Sequence, residues 1–175
     1  GVRSLDSGSA SRPAWPLAVV SWDPSKAYPG VLFDHRIAVQ GGSYPYAFAA
    51  LRKPPEMALD TRTGTLRWTP SAPSTGNVVE ITITDQEGST IVHSFSLDVT
   101  ADGFYFVDST SGIDDSARSG SITEPWQTMT FAAAATRNLS ATDTVYVKAG
   151  TYTGPIQIIN DVPRIWRAWP GDSVV

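Results

Sequence analysis

Val79-Glu80-Ile81-Thr82-Ile83-Thr84-Asp85-Gln86-Glu87-Gly88, followed by Ile91-Val92-His93-Ser94-Phe95-Ser96-Leu97-Asp98-Val99, is the stretch that decides the fold of the first half of the chain. Val79, Ile81 and Ile83 alternate with Glu80, Thr82 and Thr84. Alternation of this kind turns one face of a strand to a core and the other to water. Ile91, Phe95, Leu97 and Val99 repeat the pattern against Ser94, Ser96 and Asp98, with His93 on the apolar side. Asp85-Gln86-Glu87-Gly88 between the two runs is turn chemistry, so the stretch predicts a hairpin.

Working outward, Met57-Ala58-Leu59 and Leu66-Arg67-Trp68 flank Thr61-Arg62-Thr63-Gly64, a second hairpin with Gly where a positive φ is wanted. Leu17-Ala18-Val19-Val20-Ser21-Trp22 reads as a short buried strand stopped by Asp23-Pro24. Short strands separated by turn signals predict a β-sandwich over residues 17–100. Residues 1–16, rich in Ser, Gly and Arg and carrying Pro13 and Pro16, read as a flexible arm that would dock to a larger assembly and order on binding.

Within this region Pro55-Glu56-Met57-Ala58-Leu59-Asp60, Thr63-Gly64-Thr65-Leu66 and Trp68-Thr69-Pro70 resemble the immunoglobulin-like and cadherin-like modules of bacterial surface proteins. Ile83-Thr84-Asp85, Gly88 and Phe95-Ser96-Leu97-Asp98-Val99 match the closing hairpin of such modules. Met57 and Trp68 stand where Leu and Gly are more usual. The resemblance implies an immunoglobulin-like sandwich acting as spacer, stalk or binder. In the cadherin manner, Asp60 and Asp85 would be calcium ligands between modules; both are also ordinary turn residues.

The second half, residues 101–175, changes character. Ala101-Asp102-Gly103 is a junction, and Phe104-Tyr105-Phe106-Val107 a strand. A polar loop from Asp108 to Glu124 follows. Ala132 to Ala135 predict a helix over 128–139, with Phe131, Ala135 and Leu139 along its apolar stripe. Strands are expected at 144–148, 156–158 and 165–169, with Val145 and Val147 facing one way. Tyr105-Phe106-Val107-Asp108, Gly112, Asp114, Pro125-Trp126-Gln127-Thr128 and Asp143 to Tyr152 look like the beginning of a right-handed parallel β-helix of the pectate-lyase-like and phage-tailspike kind. In that family an alanine-rich helix caps the open end of the solenoid and Gly-Thr-Tyr closes the first coil. The resemblance therefore implies one capping helix and one first coil. A single coil cannot bury its apolar face alone. The expectation is an excerpt of a longer chain, with the remainder of the solenoid or a partner chain on its C-terminal edge. A homotrimer or virion assembly is what the tailspike resemblance implies.

Composition bounds the function. Of 175 residues, 13 are Lys or Arg and 17 Asp or Glu, for a net charge of −4. The basic residues are scattered, so a face that tracks phosphates, and with it nucleic-acid binding, is excluded. Cys is absent, which removes disulfides, thiolate metal sites and cysteine nucleophiles. No apolar run is long enough to span a bilayer as a helix.

Asp108, Asp114 and Asp115, with Asp143, are the calcium candidates as hard oxygen donors, although their spacing matches no EF-hand loop. Glu80, Glu87, Asp98 and Glu124 give no carboxylate pairing across a sugar, and no nucleophile elbow occurs, so no catalytic residue is assigned. Trp15, Trp22, Tyr44 and Tyr46 lie in the least regular parts of the sandwich and are the candidates for glycan stacking or interface contact. Trp68, Trp126, Trp166 and Trp169 fall at strand or cap positions and are expected in the core.

The reading is a non-catalytic anchoring and spacing region of an extracellular, cell-surface or virion β-helix protein that attaches to or handles polysaccharide. The rival is the N-terminal part of a secreted polysaccharide lyase or glycoside hydrolase whose catalytic coils follow Val175. No cofactor other than calcium is implied.

Overall fold

Short strands set by alternating burial make up most of the chain, and the computed structural model describes residues 15–138, 140, 142–154 and 165–175. In chain order the first strands are β1 (Ala18–Val19), β2 (Lys26–Ala27), β3 (Phe33–Arg36), β4 (Val39–Gln40) and β5 (Ala47–Arg52). They are followed by β6 (Ala58–Leu59), β7 (Thr65–Trp68), β8 (Ser74–Thr84) and β9 (Thr90–Val99). The remaining elements are β10 (Phe104–Val107), α1 (Met129–Ala135), β11 (Thr144–Val147) and β12 (Ile165–Ala168). Strands β2, β9, β8 and β5 form one sheet in that order; β3, β7 and β6 form a second; β1 pairs with β4.

The described residues divide into two compact units: 15–23, 34–67 and 78–95 in one, and 24–33, 68–77 and those from 96 onward in the other. In the first, Val79, Ile81 and Ile83 are fully buried, as their alternation predicts, and Phe95 joins them. Strand β5 pairs antiparallel with β8, Phe48 opposite Ile83. The β6–β7 hairpin is antiparallel, with Leu59 opposite Leu66. Its turn ends at Gly64, where φ is +70°, and a Cβ there would lie 2.5 Å from the Phe48 ring. Glycine is required at Gly64 both by backbone conformation and by this contact.

The 17–22 run departs from expectation. Only Ala18 and Val19 are strand, and Val20 and Trp22 are 52% and 50% exposed. Strand β1 pairs with the two-residue β4 and with neither of the larger sheets, and Val20 and Trp22 lie beyond that pairing.

In the second unit, β10, β11 and β12 form a parallel sheet, paired without a register shift: Phe104 opposite Thr144 opposite Ile165, and Val107 opposite Val147 opposite Ala168. Both faces are covered, the usual condition of parallel sheets. Val107, Val145 and Val147 face a cluster with Trp126, Ala132, Met129 and Phe131. Phe104, Phe106 and Tyr146 face Val31, Tyr28 and Trp169. Trp68 and Trp126 are buried and Trp166 and Trp169 partly so, in line with their expected core positions.

The helix is shorter than expected, ending at Ala135 with Thr136 as C-cap. Thr128 is the N-cap, its hydroxyl accepting the Phe131 N–H at 3.1 Å. The buried stripe runs through Ala132, Ala133 and Thr136, while Ala135 is exposed. A run of alanines carries propensity without marking a face, so Ala135 falls outside the stripe that Phe131 joins. Leu139 and the strand expected at 156–158 lie outside the described residues, as do residues 1–14 of the expected arm. No helix among the described residues is long and apolar enough to cross a membrane.

Candidate functional site

The loop between β4 and β5 is built to present tyrosines. Gly41 and Gly42 adopt φ of +73° and +61°, and a Cβ on Gly41 would collide with the Pro16 carbonyl. The chain at Trp15–Pro16 thus passes directly against the loop, and the Gly42 N–H donates to the Trp15 carbonyl at 2.8 Å. The Tyr46 hydroxyl donates to the Gly41 carbonyl at 2.6 Å. Tyr44 stands edge-on to Tyr46, ring centroids 5.7 Å apart, and remains 77% exposed.

Asp85 holds this loop from the β8–β9 turn. One carboxylate oxygen accepts the Ser43 N–H at 3.1 Å, and the other accepts those of Glu87 and Ser89 at 3.0 and 2.8 Å. Burial pushes its carboxyl upward, but the Ser43, Ser89 and Glu87 N–H groups outweigh that and hold it below the ordinary value.

Tyr44 and Tyr46 border a groove of about 350 Å³, whose other walls include Arg36, Val39, Arg62 and Thr63. An adjoining hollow of about 560 Å³ continues along Tyr44, Pro45, Asp60 and Arg62. Arg36 comes from β3, where Phe33 and His35 point inward and Asp34 and Arg36 outward. Arg62 and Thr63 come from the β6–β7 turn, fixed by Asp60, whose Oδ1 accepts their N–H groups at 2.9 and 3.1 Å. Those N–H groups, first Arg62 and then Thr63, hold the Asp60 carboxyl below its ordinary value.

The groove therefore combines an exposed flat ring with guanidinium and hydroxyl donors. Of the four stacking candidates it brings together Tyr44 and Tyr46. Trp15 is 76% exposed and adjoins the loop through its backbone; Trp22, half-exposed, does not line the groove. The arginines went unassigned in the sequence, which offers no local sign that a strand residue and a turn residue converge.

The calcium candidates accept hydrogen bonds from turns and caps. Asp108 accepts the Thr110 and Ser111 N–H groups at 2.9 and 3.2 Å, the Ser111 hydroxyl at 2.6 Å and Lys148 Nζ at 3.3 Å. Asp114 accepts the Gln127 and Thr128 N–H groups and the Thr128 hydroxyl at 2.8, 2.9 and 2.6 Å, bracing the start of α1. Asp115 accepts the Ala117 N–H at 2.8 Å. Asp143 binds Lys26 Nζ and the Ser140 N–H. Among the described residues no group of three or more His, Cys, Asp or Glu converges in a way that would hold a metal ion. His93 Nε2 lies 2.7 Å from Asp23 Oδ1, and its ring tilts against Phe95.

Residues 16–100 match the family described as "Putative Ig domain". Among solved structures, the chain is similar to two proteins of Bacteroides fragilis, a "putative alpha-galactosidase" and a "putative alpha-galactosidase/melibiase". Each is 12% identical with a TM-score of 0.44, over 77% of this chain and 30% of the other. A SusE-like surface-located polysaccharide binding protein of Bacteroides thetaiotaomicron is 16% identical with a TM-score of 0.37, over 79% of this chain and 20% of that one. The chain thus spans only 20% to 30% of the length of these structures. Likeness this distant says nothing of what this chain binds or cleaves. No curated protein matches the chain.

Proposed function

We propose that this immunoglobulin-like domain is a non-catalytic attachment module that contacts polysaccharide outside the cell through its Tyr44–Tyr46 groove. The observation that carries the reading is Tyr44, a large ring left 77% exposed on a loop that Asp85 and Tyr46 hold in place. A pre-set aromatic face beside hydrogen-bond donors is how proteins meet sugars, because the apolar face of a pyranose stacks on the ring while its hydroxyls find partners at the edge.

The setting of that module is a β-helix protein of the cell surface or a virion, residues 101–175 forming its helical cap and first coil. The in-register parallel stack of β10, β11 and β12 and the helix over one face support this. Further coils, or another chain as in a trimer, would then add a fourth parallel strand beside β12.

Affinity electrophoresis of the protein in gels containing a panel of soluble polysaccharides tests the module. Retardation by at least one polysaccharide is expected, with a loss of about 3- to 10-fold in affinity for Tyr44→Ala, the worth of one ring stack. Mobility unchanged in every gel, or equal retardation of Tyr44→Ala, would overturn it.

A further inference from the structure

The groove carries a charge preference as well as a stacking face. On β3, β7 and the β6–β7 turn stand the arginines Arg36, Arg67 and Arg62. Arg67 is neutralised by Asp34, Nε to Oδ2 2.8 Å. Arg36 and Arg62 line the groove, and among the described residues neither is in an ion pair. The nearby acid, Asp60, lines the adjoining hollow, gives one oxygen to the Arg62 and Thr63 N–H groups of its own turn and also feels the charge of Arg62, without an ion-pair contact to it.

We propose that the natural occupant of the groove is an acidic polysaccharide, one whose repeating carboxylate or sulfate groups meet Arg36 and Arg62 while a sugar ring stacks on Tyr44. This rests on the attachment reading above and narrows it. A planar guanidinium presents paired donors that match the oxygens of a carboxylate or sulfate. The distribution of charge matters here, since the whole protein carries −4 and a polyanion is drawn only to local positive edges such as this one.

The test measures binding of the wild type, Tyr44→Ala, Arg36→Gln, Arg62→Gln and the double arginine variant to four soluble polymers at low and at physiological salt. The polymers are neutral dextran, polygalacturonate, dextran sulfate and polyglutamate. Both arginines are exposed, so unchanged thermal unfolding is expected and serves as the folding control. The expected result is at least 10-fold tighter binding of one acidic polysaccharide than of dextran. The double arginine variant should erase that margin, and Tyr44→Ala should weaken what remains. Polygalacturonate against dextran sulfate identifies the carboxylate or the sulfate as the group recognised.

Equal affinity for dextran and both acidic polymers, with Tyr44→Ala still impaired, would overturn the charge preference and leave the attachment reading standing. Polyglutamate bound as tightly as the acidic sugars would overturn the requirement for a sugar ring. Binding untouched by every variant would overturn the groove itself, and the attachment reading with it.

Discussion

Asp85 reaches across from the β8–β9 turn to the Ser43 N–H, 3.1 Å away and 42 residues earlier in the chain. That bond, with those to Glu87 and Ser89, makes one carboxylate responsible for a hairpin turn and for the tyrosine loop together. Asp85→Ala strands N–H groups that a partly buried carboxylate had satisfied, and is expected to cost about 2–3 kcal/mol. Asp85→Asn, which retains an acceptor, should cost about half. Urea unfolding measures both. Polysaccharide retention should fall in Asp85→Ala even where the protein is fully folded, because Tyr44 loses its fixed seat. Retention equal to the wild type would mean that Tyr46 and Gly41 alone fix the loop.

Asp108 gives the chain an acid-sensitive contribution. Burial pushes its carboxyl upward, and the Ser111 hydroxyl, the Thr110 and Ser111 N–H groups and Lys148 together outweigh that and hold it at about 2 against an ordinary 3.8. The folded carboxyl thus binds its proton more weakly than the unfolded one, so unfolding takes up protons in acid. The stabilisation, roughly 2 kcal/mol, is complete above about pH 4 and disappears as pH falls towards 2. Stability of the wild type and of Asp108→Asn, measured by urea unfolding from pH 7 to pH 2, should differ by that amount at neutral pH and converge at the acid end. A constant gap would mean that Asp108 acts through shape and not through charge.

Lys26 Nζ and Asp143 Oδ1 meet at 3.1 Å over Gly103, with side chains 27% and 8% exposed. The pair lies between the fully exposed regime, where ion pairs contribute little, and the buried one, where losing a partner is costly. Lys26→Met is expected to lower stability by about 1–2 kcal/mol. Gly103 has φ of +80°, and a Cβ there would collide with both charged groups. Gly103→Ala should therefore destabilise by more than backbone strain alone, about 1–2 kcal/mol. Part of that loss should vanish in the Lys26→Met background, a non-additivity that chemical denaturation of the four proteins resolves.

The hairpin at 79–99 was legible because a period of two is a local pattern and the β8 and β9 cores obey it residue by residue. The helix was legible in position, since Ala132 to Ala135 have no competing preference, and illegible in orientation for the same reason. The aspartates illustrate a different limit: that Asp108 holds its own turn and Asp114 the start of α1 has no signature beyond the letter itself. For the groove, Tyr44 and Tyr46 stood out by lying in an irregular stretch. Arg36 and Arg62 did not, because their meeting depends on how β3 and the β6–β7 turn are brought together. Asp85 was visible as a turn residue but not as the tether of Ser43, a relation with no local signature.

The face of the parallel sheet that carries Phe104, Phe106 and Tyr146 offers the most direct test of long-range packing. Tyr28 stands edge-on to both Phe104 and Phe106, each at 5.4 Å, and Trp169 closes on Phe106 at 5.6 Å. Phe106 is fully buried, so Phe106→Ala removes a large ring from a site with little room to collapse and should cost about 3–5 kcal/mol. Tyr28 is only partly buried, and Tyr28→Ala should cost less. The two losses should not add: once Phe106 is gone, Tyr28 has already lost one of its edge contacts. The double variant is expected to fall short of the sum by about 0.5–1.5 kcal/mol, the worth of an aromatic pair beyond its buried area. Urea denaturation of wild type, both single variants and the double gives that difference directly. Strict additivity would mean that the ring contact carries no energy of its own and that Tyr28 serves only to exclude water from Phe106.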